Sequence, residues 1–380
     1  MPHPMATRRA AALLTGTALA LAGTLTLADP ASAHPSGPPT VVSAVPDQAL
    51  NARFTAYGNS GAGWTGADST WSARLPGGRE LFLFSDTFLG PITPPTRPTT
   101  APLVHNSFVQ IDAHGRMSTI LGGTREHPDS LLIPPDPAHW YWLGAGTYLG
   151  GVLQVPLTEW RSTGPGAFDL ALVGSSLARF SPNDLRHPLS VTELPRELGV
   201  EWGQWVLPQG PWTYVYGVED KGLDKYLHIA RVRGTDLRAP WQFFTGSGWS
   251  ASETDSVRVM DFVAPELSIH QLRPGLYMLT TLDGTEVFSN HLVAYFGTSP
   301  TGPFTNKTAL YTTPETGLFG SYGNPNVVTY NAHVHTELST PDRLVISYNV
   351  NSLDSTIGGD LYRDVSIYRP RFIDVTLAYR

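Results

Sequence analysis

Short apolar runs recur along the chain from Ala49 onward, each closed by Gly, Pro, Asn or Asp, and many alternate apolar with polar positions. Alternation of period two with turn residues between runs predicts half-buried β-strands rather than helices. The run "WTGADSTWSARLPGGRELFLFSDTFLG" (64–90) shows the pattern most clearly, with a Pro76-Gly77-Gly78 corner between two strand-like arms. "LVHNSFVQID" (103–112) and "RMSTILGG" (116–123) extend it to four strands. Similar groups follow, through "WYWLGAGTYLGG", "EWGQWVLPQ", "APELSIHQL" and "NPNVVTYNAHVHTEL" to "RDVSIYRPRFIDVTL". Long helices are hard to place anywhere.

An internal echo sharpens the expectation. "LHIARVRGTDLRAPWQFF" (227–244) parallels "LVAYFGTSPTGPFTNKTALY" (292–311) in its strand, polar turn, Pro-aromatic pair and second strand. Their spacing of ~64 residues divides ~330 folded residues into five units. The predicted fold is therefore all-β, a five-bladed β-propeller with four antiparallel strands per blade over residues 49–380. A large β-sandwich is the alternative.

The ends of the chain differ from this body. Arg8 and Arg9 precede an apolar stretch and Ala31-Ser32-Ala33, the layout of an export signal. Residues 1–33 are expected to be a signal peptide cleaved after Ala33, and residues 34–48, rich in Pro and Ser, a flexible lead-in. Removing Arg8, Arg9 and Asp29 takes the formal charge from −7 to −8. An acidic chain without a basic cluster argues against nucleic acid and membrane surfaces as partners. There are no cysteines, so an exported form needs a large core in place of disulfides. Once the signal is removed, about 345 residues suffice for one. A secreted monomer is expected.

Carboxylates supply the candidate chemistry. If Leu75 and Arg79 close the Pro-Gly-Gly turn, paired residue numbers sum to 154 and Asp68 lies opposite Asp86, on one face and roughly 4.5–5.5 Å apart at Cβ. Two like charges that close split their affinities for a proton, which is what glycoside hydrolysis asks of its acid and its base or nucleophile. A loop one residue shorter or longer would send them to opposite faces. The bland reading is a pair of turn-forming aspartates. Glu266, at the head of the apolar strand in "VAPELSIH", is the third candidate, and Glu219 its competitor with solvated neighbours. His333, His335 and Glu337 alternate in "NAHVHTEL" and suit sugar contacts better than any familiar metal spacing. His105, Asn106, Tyr322 and Asn349 are candidate hydroxyl-binding groups. Trp64, with Trp140, Trp142, Trp202 and Trp205, could stack on sugar rings, although packing claims most tryptophans. No nucleophile elbow, zinc-protease helix or phosphate loop is present.

The motifs "WTGADSTWSARLPGGRELFLFSDTFLG", "VHNSFV" and "HTELSTPDRLVISYNVN" resemble the secreted bacterial propellers of domain-of-unknown-function family 4185, a group that includes endo-D-arabinanases. That resemblance implies a glycoside hydrolase acting on a furanose-containing polysaccharide such as arabinan, with Asp68, Asp86 and Glu266 as its catalytic carboxylates. No cofactor is required, and the channel of such a fold leaves room for a structural cation. A non-catalytic, lectin-like propeller is the alternative.

Overall fold

The structure is a computed structural model and describes residues 37–166 and 168–379. The expected signal peptide lies outside the described residues. The chain is all-β, and among the described residues five antiparallel sheets of four or more strands hold most of its strands. Sheet I joins Trp71–Leu75, Arg79–Phe84, Ser107–Ile111 and Met117–Ile120. In sheet II, His139–Leu143 and Thr147–Leu149 both pair with Val152–Ser162, followed by Leu170–Phe180 and Ser190–Glu193. Sheet III begins at Val200–Gln209, sheet IV at Leu267–Arg273 and sheet V at Val327–Val334.

Hydrogen bonds join each of these sheets to the next in a cycle. Trp71 Nε1 donates to Leu143 O at 2.9 Å, tying I to II, and Ala145 N donates to Gly203 O, tying II to III. Tyr216 Oη donates to Pro300 O across III and IV. Val334 N donates to Ser268 Oγ across IV and V, and His333 Nε2 to Thr70 O across V and I. Interleaved between the sheets are the apolar side chains of the core, with Trp71, Leu83, Phe108, Tyr216 and Leu267 in its largest cluster.

Two segments depart from the sequence expectations. Residues 34–48 are not simply a lead-in, because Thr40–Pro46 forms the outermost strand of sheet V, paired with Pro370–Ala378. Its burial is slight, which is why its sequence carries no clear alternation. Gln48–Ser60 is a helix, capped by Asp47 Oδ1, which accepts from Leu50 N, and ended by left-handed Gly61. Phe54 and Gly58 are its only fully buried residues, so the apolar stripe that normally betrays a helix is missing. Phe54 packs between Trp64, Phe82 and Phe372, and tertiary packing holds the helix where periodicity could not announce it.

The first hairpin follows its expected register. Leu75 pairs with Arg79 and Trp71 with Leu83, around a turn in which Gly77 and Gly78 take φ of 78° and 70°. Side chains with a Cβ rarely adopt that conformation. The same register continues past the hairpin into a small sheet, where Ala67 pairs with Thr87 and Gly66 with Phe88.

Candidate active site

That continuation sets Asp68 against Asp86. Asp68 N donates to Asp86 O at 3.3 Å and Ser85 N donates to Asp68 O at 3.2 Å. Immediately after Asp68 the chain makes a costly turn: Ser69 and Thr70 both have φ of 68°, a region that costs a non-glycine residue about 1–2 kcal/mol. Long-range bonds hold it. Asn349 Nδ2 donates to Thr70 Oγ1 and Ala67 O, His333 Nε2 to Thr70 O, and Ser69 Oγ to Ser85 Oγ. Sheet V thus fixes the aspartate that sheet I presents.

The two carboxylates sit in different surroundings. Asp68 Oδ2 accepts from the Tyr330 and Tyr368 hydroxyls at 2.8 and 3.0 Å, while Oδ1 is buried without a partner. Burial, the neighbouring Asp86 charge and the more distant Glu266 charge push the Asp68 carboxyl well above the usual carboxylate range, against the opposing tyrosine bonds. Asp86 reaches solvent, with its side chain 22% exposed. Its Oδ1 accepts from Trp142 Nε1 at 2.9 Å and meets His105 Nδ1 at 2.8 Å. His105 stacks on Trp140, which makes an edge contact with Trp142, and Trp142 leans on Trp160. These three tryptophans are partly buried and form an aromatic wall beside Asp86.

Further acids arrive from sheets III and IV. Glu266 is buried just before the first strand of sheet IV, with Oε2 3.4 Å from His333 Nδ1. Glu201, in the first strand of sheet III, is 6% exposed. Burial, then Asp220 and Glu266, raise its carboxyl to about 8, with Lys225 opposing. Glu266 thus acts on both Asp68 and Glu201, bringing an acid of sheet IV toward the aspartate pair. Among the described residues no group of three or more His, Asp and Glu is arranged to hold a metal ion.

Of the sequence candidates, Asp68, Asp86, Glu266, His105, Trp140 and Trp142 come together here, with His333 against Glu266. The others do not. Trp64 is fully buried against Phe54 and Phe84. Asn106 is fully buried, bonding Leu132 and Tyr141 backbone atoms. Asn349 is buried in bracing the Thr70 turn. His335 lies in the core near Phe82 and Phe372, 2.5 Å from Ser72 Oγ, and burial, with His333 beside it, pushes its ring well below the ordinary imidazole range. Tyr322 bonds Ser366 and Arg371. Asn106, Asn349, His335 and Tyr322 each bond within the protein, as buried polar groups generally do, while Trp64 Nε1, His335 Nε2 and Asn349 Oδ1 are buried without a partner. Glu219 is held by Arg258 and Lys221, with its carboxyl lowered to about 2 mainly by the Arg258 bond. Tyr330, Tyr368 and Glu201 carry no local signal in the sequence, because what defines them is a partner far along the chain. A cavity of about 210 Å³, lined by Trp71, Ser72, Arg74, Tyr148, Trp205 and Glu337, lies farther along the same first strands and is not lined by the aspartates.

An all-β chain with paired carboxylates beside partly buried tryptophans is thus defined. The chain belongs to the family described as Domain of unknown function (DUF5005), which matches residues 51–377. This corrects the resemblance to family 4185. The motif residues behind that resemblance include Trp64, Asn106 and Asn349, which brace the fold, and bracing positions can be alike in separate families that share an architecture. No curated protein matches the chain. Among solved structures, a Bacteroides ovatus protein provisionally described as a hydrolase is similar at TM-score 0.73 and 18% identity, over 90% of this chain and 97% of that one. The α-L-arabinofuranosidase of Podospora anserina, in complex with cellotriose, is similar at TM-score 0.47 and 12% identity over 84% and 93%. The Bombyx mori β-fructofuranosidase, in complex with sucrose, gives 0.47 and 10% over 88% and 70%. At these identities the likeness of the Bacteroides protein speaks for the fold.

Proposed function

We propose that this protein is a secreted glycoside hydrolase, a five-bladed propeller whose blades are sheets I to V, acting on a furanose-containing polysaccharide with arabinan as the first substrate to try. The observation that carries the reading is the Asp68–Asp86 pair. Two carboxyl groups are brought together by the continued hairpin register, one enclosed by Tyr330 and Tyr368 and pushed toward the protonated form, the other partly open to solvent beside a tryptophan wall. Glycosidic cleavage needs that asymmetry: one carboxyl to give the leaving oxygen its proton and one carboxylate to attack or to activate water. In this reading Asp68 holds the proton. Asp86, its Oδ1 engaged by Trp142 and His105, has Oδ2 to offer to water or to the sugar. Glu266 adds negative charge where the oxocarbenium-like centre would form. Tryptophan faces suit the apolar faces of sugar rings. Export and cleavage after Ala33 complete the proposal.

The test is reducing-end release from arabinans, galactans and xylans by wild type, Asp68→Asn and Asp86→Asn. Loss of at least ~10²-fold in rate for each variant, with the fold retained, is expected of a positioned acid or base. Binding of these glycans without any release would make the protein a lectin-like binder instead. Near-wild-type release by either variant would remove that aspartate from the catalytic set.

A further inference from the structure

Two buried arginines, neither paired with a carboxylate, lie against the same stretch of backbone. Arg97 is 4% exposed and Arg369 3% exposed. Arg97 lies in the loop between the strands Thr87–Leu89 and Leu103–Val104. This loop is clamped to the segment before sheet V's third strand, with Arg97 N donating to Tyr362 O and Val365 N to Pro95 O. Arg369 ends that segment. Both guanidiniums flank Thr65 and Gly66: Arg369 Nε donates to Thr65 O at 2.8 Å, and a Cβ at Gly66 would stand 3.2 Å from Arg97 Nη2.

Their hydrogen bonding is incomplete. Arg97 Nε, Nη1 and Nη2 are all buried without a partner, as is Arg369 Nη2. Neither side chain forms an ion pair among the described residues. Arg97 lies 3.9 Å over the Phe88 ring, a favourable contact that still leaves five N–H donors unused. The carboxylate acting on Arg369 is Asp364, whose Oδ1 already accepts from Ser366 N and Oγ. Burial, and then the like charge of Arg369, bring the Arg97 guanidinium down to about 10. Buried charge is kept when it is paired and hydrogen-bonded, and is otherwise expensive.

We propose that Arg97 and Arg369 together form a binding site for a small inorganic anion, with chloride as the occupant. A single negative charge offsets one of the two guanidiniums and accepts N–H bonds from both. The site favours a monatomic ion over an oxyanion, because the surroundings are close-packed: the Tyr368 carbonyl oxygen would lie 2.1 Å from a Cβ at Gly66, and Phe88 covers Arg97. Tyr368 sits between this site and Asp68, to which its hydroxyl donates. The bound anion would therefore steady the tyrosine that grips the buried aspartate. The inference stands on the arginines alone and does not depend on the hydrolase reading.

The experiment has two arms. Wild-type protein dialysed into sodium gluconate is titrated with chloride, bromide or sulfate at constant ionic strength while its Tm is read. Chloride and bromide should each raise Tm by on the order of 3 °C at about ten times Kd, with sulfate giving less. Arg97→Met should abolish the halide-specific rise. Crystals of the wild-type protein soaked in bromide should show an anomalous peak between the two guanidiniums, a readout that survives if the variant does not fold. An equal rise with every salt, a rise with sulfate alone, or a bromide map without that peak would overturn the proposal.

Discussion

Replacing Glu201 with glutamine should make the protein more stable at alkaline pH and leave it nearly unchanged in acid. Glu201 is 6% exposed, its Oε2 bonds Gln204 Nε2 at 3.3 Å, and its carboxyl is raised from 4.5 to about 8, first by burial and then by the charges of Asp220 and Glu266. The folded chain holds this proton more tightly than the unfolded chain does. The resulting stability is fully present below about pH 4.5 and is lost as pH rises through about 8. At ~1.36 kcal/mol per pH unit, the interval corresponds to a ceiling of about 5 kcal/mol above pH 8 and about 3 kcal/mol at pH 7. Water penetration and relaxation reduce such figures, so a gain of about 2–3 kcal/mol at pH 9 is expected for Glu201→Gln. The amide keeps the size of the side chain and can still meet Gln204, so neither a cavity nor an orphaned partner should obscure the effect. Urea unfolding of both proteins at pH 5, 7 and 9 provides the measurement. The two curves of stability against pH should converge at pH 5 and separate steadily above it. A constant offset at all three pH values, or a variant weaker than wild type at pH 9, would refute the argument that a buried, crowded carboxyl controls this part of the stability profile.

Two further outcomes test the scaffold under the site. Gly66→Ala places a Cβ 2.1 Å from the Tyr368 carbonyl oxygen and should cost at least about 2 kcal/mol by overpacking. Denaturant unfolding gives that cost, and a neutral result would show that Tyr368 is free to shift. Deleting residues 1–46 removes the strand Thr40–Pro46 from the edge of sheet V and should cost about 3 kcal/mol or more in lost ladder bonds and packing. A truncated protein with an unchanged Tm would mean that the sheet closes without its N-terminal strand.

What was legible in the sequence lay close together along the chain. Alternation and turn residues announce strands, and the Pro76-Gly77-Gly78 corner sets a register that brings Asp68 to Asp86, only eighteen positions apart. Pairing within a hairpin is a local property, settled by turn length and the two-residue period. The helix Gln48–Ser60 escaped because it buries Phe54 and Gly58 alone, and the strand Thr40–Pro46 because its faces are scarcely buried. The surroundings of the aspartates were decided by tertiary structure. Tyr330 and Tyr368 reach Asp68 across 262 and 300 residues, and Glu266 acts on it from another sheet. Asn106, Asn349 and His335 looked like ligand groups because polarity is all a sequence displays. Whether a polar side chain meets a ligand or a buried backbone atom depends on what packs against it, and residues tens to hundreds of positions away supply that neighbour. The sequence by itself could place two carboxylates together; only the packing of the sheets upon one another gave one of them two tyrosine hydroxyls and the other a histidine and a tryptophan.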